Sequence, residues 1–222
     1  MFKFTFLFLW LSWLLGNPFV AIIVLLIILY IIDRRFLGLT PSIFKPIKRR
    51  SNIRKLKQHI VMSPNDVSAK HDLARLLIVG KKYKEALQTL EPLKRVLVES
   101  AEYWDDLGTC YLQTDRLDEG EASILQALKI NERVKFGAPY LRLATIHMKD
   151  NTVKALQYLN DFQEIHSSSC EGYDRLASIY KGLGQDEEAK LAAKEGLRVY
   201  RSLPKYRKRL ERKWAVRLLF KK

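Results

Sequence analysis

Leu73, Leu76, Leu77 and Gly80 recur at helical spacing, and Ala86, Leu87, Leu90, Leu93 and Leu97 do so again a few residues on. No run of alternating apolar and polar residues argues for a strand, so the chain reads as all-α. One phrase returns four times: LARLL from Leu73, LGTCY from Leu107, LATIH from Leu143 and LASIY from Leu176. Its small residues, Ala74, Gly108, Ala144 and Ala177, are spaced by 34, 36 and 33. A small residue there lets two helix axes approach closely, and the Leu, Tyr and Ile beside it fill the gap between neighbours. One helix pair cannot bury its apolar face alone, so the pattern predicts about four stacked pairs over residues 66–203 sharing a continuous core.

The repeating residues carry a family resemblance. Trp104, Leu107, Gly108 and Tyr111 continue into Leu117, Gly120, Ile124 and Ala127, and Tyr173, Leu176, Ala177, Tyr180, Gly184 and Ala189 follow the same order. Leu73, Ala74, Gly80, Tyr83 and Ala86 keep most of it, and the third copy has His147 where an aromatic is usual. A period near 34 with these residues resembles the tetratricopeptide repeat (TPR) family. The resemblance implies a solenoid whose first helices line a concave groove that binds a protein or peptide. Matched position by position, the groove residues would be His71, Arg75 and Val79; Asp105, Thr109 and Leu112; Leu141, Thr145 and Met148; and Asp174, Ser178 and Lys181, with Arg142 and Arg175 beside them. Where a chaperone-binding carboxylate clamp of this family has Lys, Asn and Asn, this chain has His71, Arg75 and Asp106, and only Arg142 fits. Such a clamp is not expected.

Residues 4–32 change the picture, because they are almost wholly apolar and carry no charge. As one helix they would rise about 43 Å, more than the roughly 30 Å hydrocarbon core of a bilayer. Residues 1–35 are therefore expected to be a membrane anchor, either one kinked and tilted span, the favoured reading, or a hairpin turning at Gly16 to Pro18. The run ends in Asp33, Arg34 and Arg35 without a small-residue cleavage site, so it is expected to stay uncleaved. Arg34, Arg35, Lys48, Arg49 and Arg50 follow closely, and such positive charge is retained in the cytoplasm. The chain thus reads as a single-pass protein, by default of a bacterial plasma membrane, with its repeats facing the cytoplasm. Residues 36–65 read as a basic linker in which Pro41 and Pro46 disfavour helix at Thr40 and Lys45, ending in a short helix over Ile53 to Met62. Asp66 or Ser68 is placed to cap the helix that follows.

Charge is partitioned along the chain. Residues 1–65 carry ten Lys or Arg against one acid, and residues 201–222 again ten against one, whereas residues 66–200 carry 19 against 22. Residues 204–222 place Tyr206, Leu210, Trp214 and Leu218 at helical spacing with Arg207, Lys208, Arg212 and Lys213 around them. This predicts a basic amphipathic helix that caps the solenoid, touches anionic lipid, or does both. Nucleic acid is not an expected partner: the central domain is not basic and no zinc-finger or RNA-recognition motif is present.

Catalytic chemistry finds little to work with. His59, His71, His147 and His166 lack metal-ligand spacing, Cys110 and Cys170 form no CxxC pair, and no phosphate loop or nucleophile turn is present. Asp105 with Asp106, and Asp186 with Glu187 and Glu188, read as solvated acids or as partners of the helix dipole. No enzyme activity, metal or cofactor is expected. The sequence points to a membrane-tethered adaptor that binds a cytosolic protein or peptide, with a membrane-surface scaffold working through self-association or anionic lipid as the alternative.

Overall fold

The computed structural model describes residues 10–14, 16–32, 44–165 and 167–222, and divides the chain into two units, residues 1–42 and 43–222. In the first unit residues 10–14 are helical and α1 spans Pro18–Ile32. Between them Gly16 takes a left-handed φ of 62°, and the Asn17 side chain accepts the Phe19 amide at 2.9 Å. The break thus falls where the sequence marks a kink or turn. The 15 residues of α1 rise about 22 Å, short of a bilayer core. Among the described residues no helix is long and apolar enough to cross a membrane, so the expected spanning helix is not seen. Arg34 and Arg35 lie outside the described residues.

The second unit is all-helical among its described residues. α2 (Phe44–Met62) is followed by four pairs: α3 (Val67–Val79) with α4 (Tyr83–Leu90), α5 (Ala101–Leu112) with α6 (Leu117–Ile130), α7 (Ala138–His147) with α8 (Thr152–Glu164), and α9 (Cys170–Gly182) with α10 (Asp186–Ser202). α11 (Lys205–Leu219) closes the chain. α2 begins nine residues earlier than the sequence predicts, taking in Lys45 and Pro46. The reason is positional: Pro46 falls in the first turn, where backbone N–H groups have no intrahelical partner to lose.

Local chemistry sets the helix starts. Asp66 caps α3 by accepting the Ala69 amide at 2.9 Å, and Ser100, Asn151 and Ser169 cap α5, α8 and α9 in the same way. α10 starts with Asp186, Glu187 and Glu188 in its first turn, where they meet the positive end of the helix dipole. Lys81, Asp115 and Gly184 take left-handed φ values of 59°, 62° and 75° and turn the chain between the helices of the first, second and fourth pairs.

Packing follows the small residues. Ala74, Ala144 and Ala177 are buried, and a Cβ added to Gly108 would stand 2.7 Å from Ile124 Cγ1 and 2.9 Å from the Gly120 carbonyl. α5 and α6 therefore cross at a distance that only glycine permits. Tyr103, fully buried, donates its hydroxyl to the Leu90 carbonyl at 3.0 Å and ties the second pair to the first. His147, the departure from the family pattern, stacks on Tyr158 with ring centroids 5.9 Å apart and bonds Glu121 at 3.1 Å. Cys110 and Cys170 are buried thiols, and burial pushes both up to about 12. α11 packs on both helices of the fourth pair, as α5 does on both helices of the first.

Candidate functional site

The first helices α3, α5, α7 and α9, with α11 after them, form one row, and their charged side chains meet across it. Asp105 and Asp106 on α5 are buried at 0 and 3% exposure. A pair of adjacent buried carboxylates is costly unless each charge is matched. Here four basic side chains from three other elements meet them. From α3, His71 Nε2 and Arg75 Nε reach Asp106 Oδ2 at 3.0 and 3.2 Å. From the turn before α7, Lys135 Nζ stands 2.9 Å from Asp105 Oδ2 and also bonds Asp106. From α7, Arg142 pairs with Asp105 Oδ1. Burial alone would raise the Asp106 carboxyl, but the bonds from His71 and Lys135 and the Lys135 charge outweigh it and hold it down to about 2. The expectation that these acids are solvated is corrected: they are the ionic joint between three repeats.

Lys135 reaches that joint through an unusual turn. Lys135, Phe136 and Gly137 take left-handed φ values of 45°, 58° and 76° in succession. Two such residues with side chains are strained, by roughly 1–3 kcal/mol each, and the ionic contacts of Lys135 help to hold them. Ser167 Oγ fixes the same turn by donating to the Phe136 carbonyl at 2.9 Å.

A second joint lies at the C-terminal end. Asp174 on α9 is 1% exposed, and Lys221 Nζ bonds its carboxylate at 2.6 Å, its carbonyl at 2.8 Å and Ser178 Oγ at 2.6 Å. Arg217 adds a contact at 3.2 Å. Between the two joints a cleft of about 350 Å³ is lined by Leu141, Arg142, Thr145, Asp174, Arg175, Ser178, Ile179, Trp214 and Arg217.

Six of the sequence-derived groove residues therefore share one cleft, and His71, Arg75 and Asp105 lie along the same row. Their roles differ from the expected one. Asp105, Leu141 and Asp174 are buried, so they form the floor of the row rather than its surface. Leu112 is buried against Gly120, Met148 packs under Gly182, and Thr109 turns its hydroxyl to the Asp105 carbonyl at 2.8 Å. Thr145, Arg175, Ser178 and Lys181 are exposed. Among the described residues Arg175 is held by Glu171 of its own helix, at 2.7 Å.

Of the basic residues assigned to a membrane surface, Lys48, Arg50 and Lys213 are exposed and Arg212 is half-buried. Arg49 donates to the Val79 carbonyl at 3.0 Å, Lys208 to the Arg201 carbonyl at 2.6 Å, and Arg207 lies 5.2 Å over the Phe136 ring. Trp214 is half-buried in the cleft wall. These four serve the solenoid's own packing.

Sequence reasoning missed Lys135, Arg217 and Lys221. The spacing of 36 between Gly108 and Ala144 signals the longer turn that carries Lys135. Nothing local signals Lys221, whose partner lies 47 residues away. Among the described residues no group of three His, Cys, Asp or Glu side chains is placed to hold a metal ion.

Comparison with known proteins bears on the architecture. The tetratricopeptide repeat family profile matches residues 101–133 and 171–202, which are the second and fourth pairs. A search of curated proteins finds no match. A crystal structure of MamA superposes with a TM-score of 0.54 at 19% identity, covering 72% of this chain and 95% of that one. A second crystal structure of MamA protein gives 0.52 at 20% identity, covering 67% and 81%. The crystal structure of TTC0263, a thermophilic TPR protein of Thermus thermophilus, gives 0.56 at 19% identity, covering 84% and 99%. Two profile-matched repeats and three like-folded structures support an all-helical solenoid fold like that of tetratricopeptide repeats.

Proposed function

We propose that this protein is an adaptor that holds a protein or peptide partner in the row of its first helices and is tethered to a membrane by its N-terminal apolar stretch. The observation that carries the adaptor reading is the cleft between α7, α9 and α11, which two buried ionic joints hold open in a fixed shape. A preformed groove binds at a lower ordering cost than one that must be assembled. The tether rests on the uncharged run of residues 4–32 and the basic residues after it, and it places the solenoid on the cytoplasmic side of what we take to be a bacterial plasma membrane.

The test is affinity purification of the full chain from native membranes in mild detergent, against an Arg175→Glu, Lys181→Glu variant. Both positions are exposed and neither holds a buried acid, unlike Arg75 and Arg142. A stoichiometric protein recovered with the intact chain and lost from the variant supports the groove. Recovery of the same proteins from both removes it, and release of the chain from membranes by salt alone removes the tether.

One observation favours a second reading, a scaffold that lies on anionic lipid. α2 contains no acid, and its Lys45, Lys48, Arg50, Arg54 and Lys55 are exposed and form no ion pair with a described residue. Charges near an anionic surface contribute about 1 kcal/mol each. Flotation of the full chain with phosphatidylglycerol vesicles, abolished by reversing these five charges, would favour the scaffold.

A further inference from the structure

One face of α11 is covered by no described residue. Tyr206, Leu210 and Phe220 are 71, 71 and 87% exposed. At 3.6 residues per turn they share one side with Arg209 and Lys213. In an interior repeat part of this surface would lie under the next helix pair. Its basic groups are interleaved with its apolar ones, whereas a helix lying in a lipid interface sets its charges opposite the face it buries. The interleaving suits a protein surface that carries acids among apolar contacts.

An acidic and aromatic surface lies elsewhere on the same solenoid. α8, α9 and α10 border a cleft of about 620 Å³ whose lining includes Tyr173, Tyr180, Leu191, Glu164, Glu188 and Glu195. Leu191 is 62% exposed. Glu164 and Glu188 form no ion pair with a described residue, and Glu195 is paired only with Arg198 of its own helix, at 2.7 Å. The cleft is therefore acidic at its rim and aromatic at its base. Asp161 beside it is held above its ordinary value by burial and by the Glu164 charge.

We propose that α11 of one copy docks in this cleft of a second copy, with Tyr206 and Leu210 seated against Tyr180 and Leu191 while Arg209 and Lys213 face Glu164 and Glu188. The inference goes beyond the adaptor reading and stands without it. Donor helix and acceptor cleft lie on different parts of one molecule, so the contact is heterologous and passes from copy to copy, closing as a ring or continuing as a chain. One helix face in one cleft is a small interface, so the assembly is weak, depends on concentration and loosens in salt.

The experiment uses the full chain in mild detergent, with mass followed by light scattering against protein concentration. Two charge reversals at exposed positions are compared with wild type, Arg209→Glu with Lys213→Glu and Glu164→Lys with Glu188→Lys, each checked for unchanged helicity. The expected result is wild-type association that weakens at least tenfold in either variant alone. An equimolar mixture of the two variants should recover association, because intact α11 still meets the intact acidic cleft and reversed α11 meets the reversed cleft with opposite charge. A wild type that stays monomeric, variants that associate as wild type does, or a mixture that fails to pair would each overturn the proposal. Association through the N-terminal apolar stretch would survive both reversals. If the α11 reversal instead abolished flotation with phosphatidylglycerol vesicles and left self-association intact, a lipid surface would be the occupant and the proposal would fail.

Discussion

Asp105 and Asp106 are neighbours on one helix with almost no water to hold their charge, and the molecule answers by bringing His71, Arg75, Lys135 and Arg142 to them from separate elements. Removing Arg142 leaves Asp105 to Lys135 alone, and losing one of two partners of a buried carboxylate costs about 1–3 kcal/mol. Arg142→Ala is expected to lower stability by that order in chemical denaturation. Replacing Asp105 and Arg142 together with Leu and Met should cost less than the sum of the two single changes. The joint also predicts an acid response. Asp106 titrates at about 2 in the fold against 3.8 unfolded, so its contribution, about 2 kcal/mol, is complete above pH 4 and disappears as pH falls through 2. Asp106→Asn should lower stability at neutral pH and remove that part of the acid-induced loss. An acid dependence identical to wild type would contradict the assignment.

At the scale of elements, each helix pair is set by a close approach that the sequence displays openly. Ala74, Gly108, Ala144 and Ala177 announce the crossings, and the capping residue Asp66 announces the start of α3. Gly108→Val is expected to destabilise by roughly 1–3 kcal/mol, because its Cβ would meet Ile124 and the backbone at Gly120. What is harder to read is anything built from distant partners. The start of α2 at Phe44 hides behind Pro46, whose effect depends on where in the helix it falls. The burial of Asp105 and Asp174 depends on Arg142, Lys135 and Lys221, all far along the chain. Helical spacing reports which residues share a face, but not which charges will meet across faces. The candidate groove is therefore legible as a row of positions, while its division into buried joints and exposed rim is not. Lys221→Ala should cost roughly 1–3 kcal/mol by leaving Asp174 to Arg217 alone, and hydrogen exchange should show the loss first in α11.

For the molecule as a whole, charge is segregated by position: both flanks are strongly basic and the repeats between them are slightly acidic. In the proposed function the basic flanks would be attracted to anionic surfaces and the groove of paired charges would offer a partner a fixed shape. These are separable roles, and the groove is the central one. Its most direct test is site-specific photo-crosslinking in native membranes, with the reactive group placed at exposed Thr145 in the cleft or at exposed Lys190 on α10. The adaptor account predicts a discrete protein adduct from Thr145 that Lys190 does not give. Equal labelling from both positions, or none from Thr145, would contradict it.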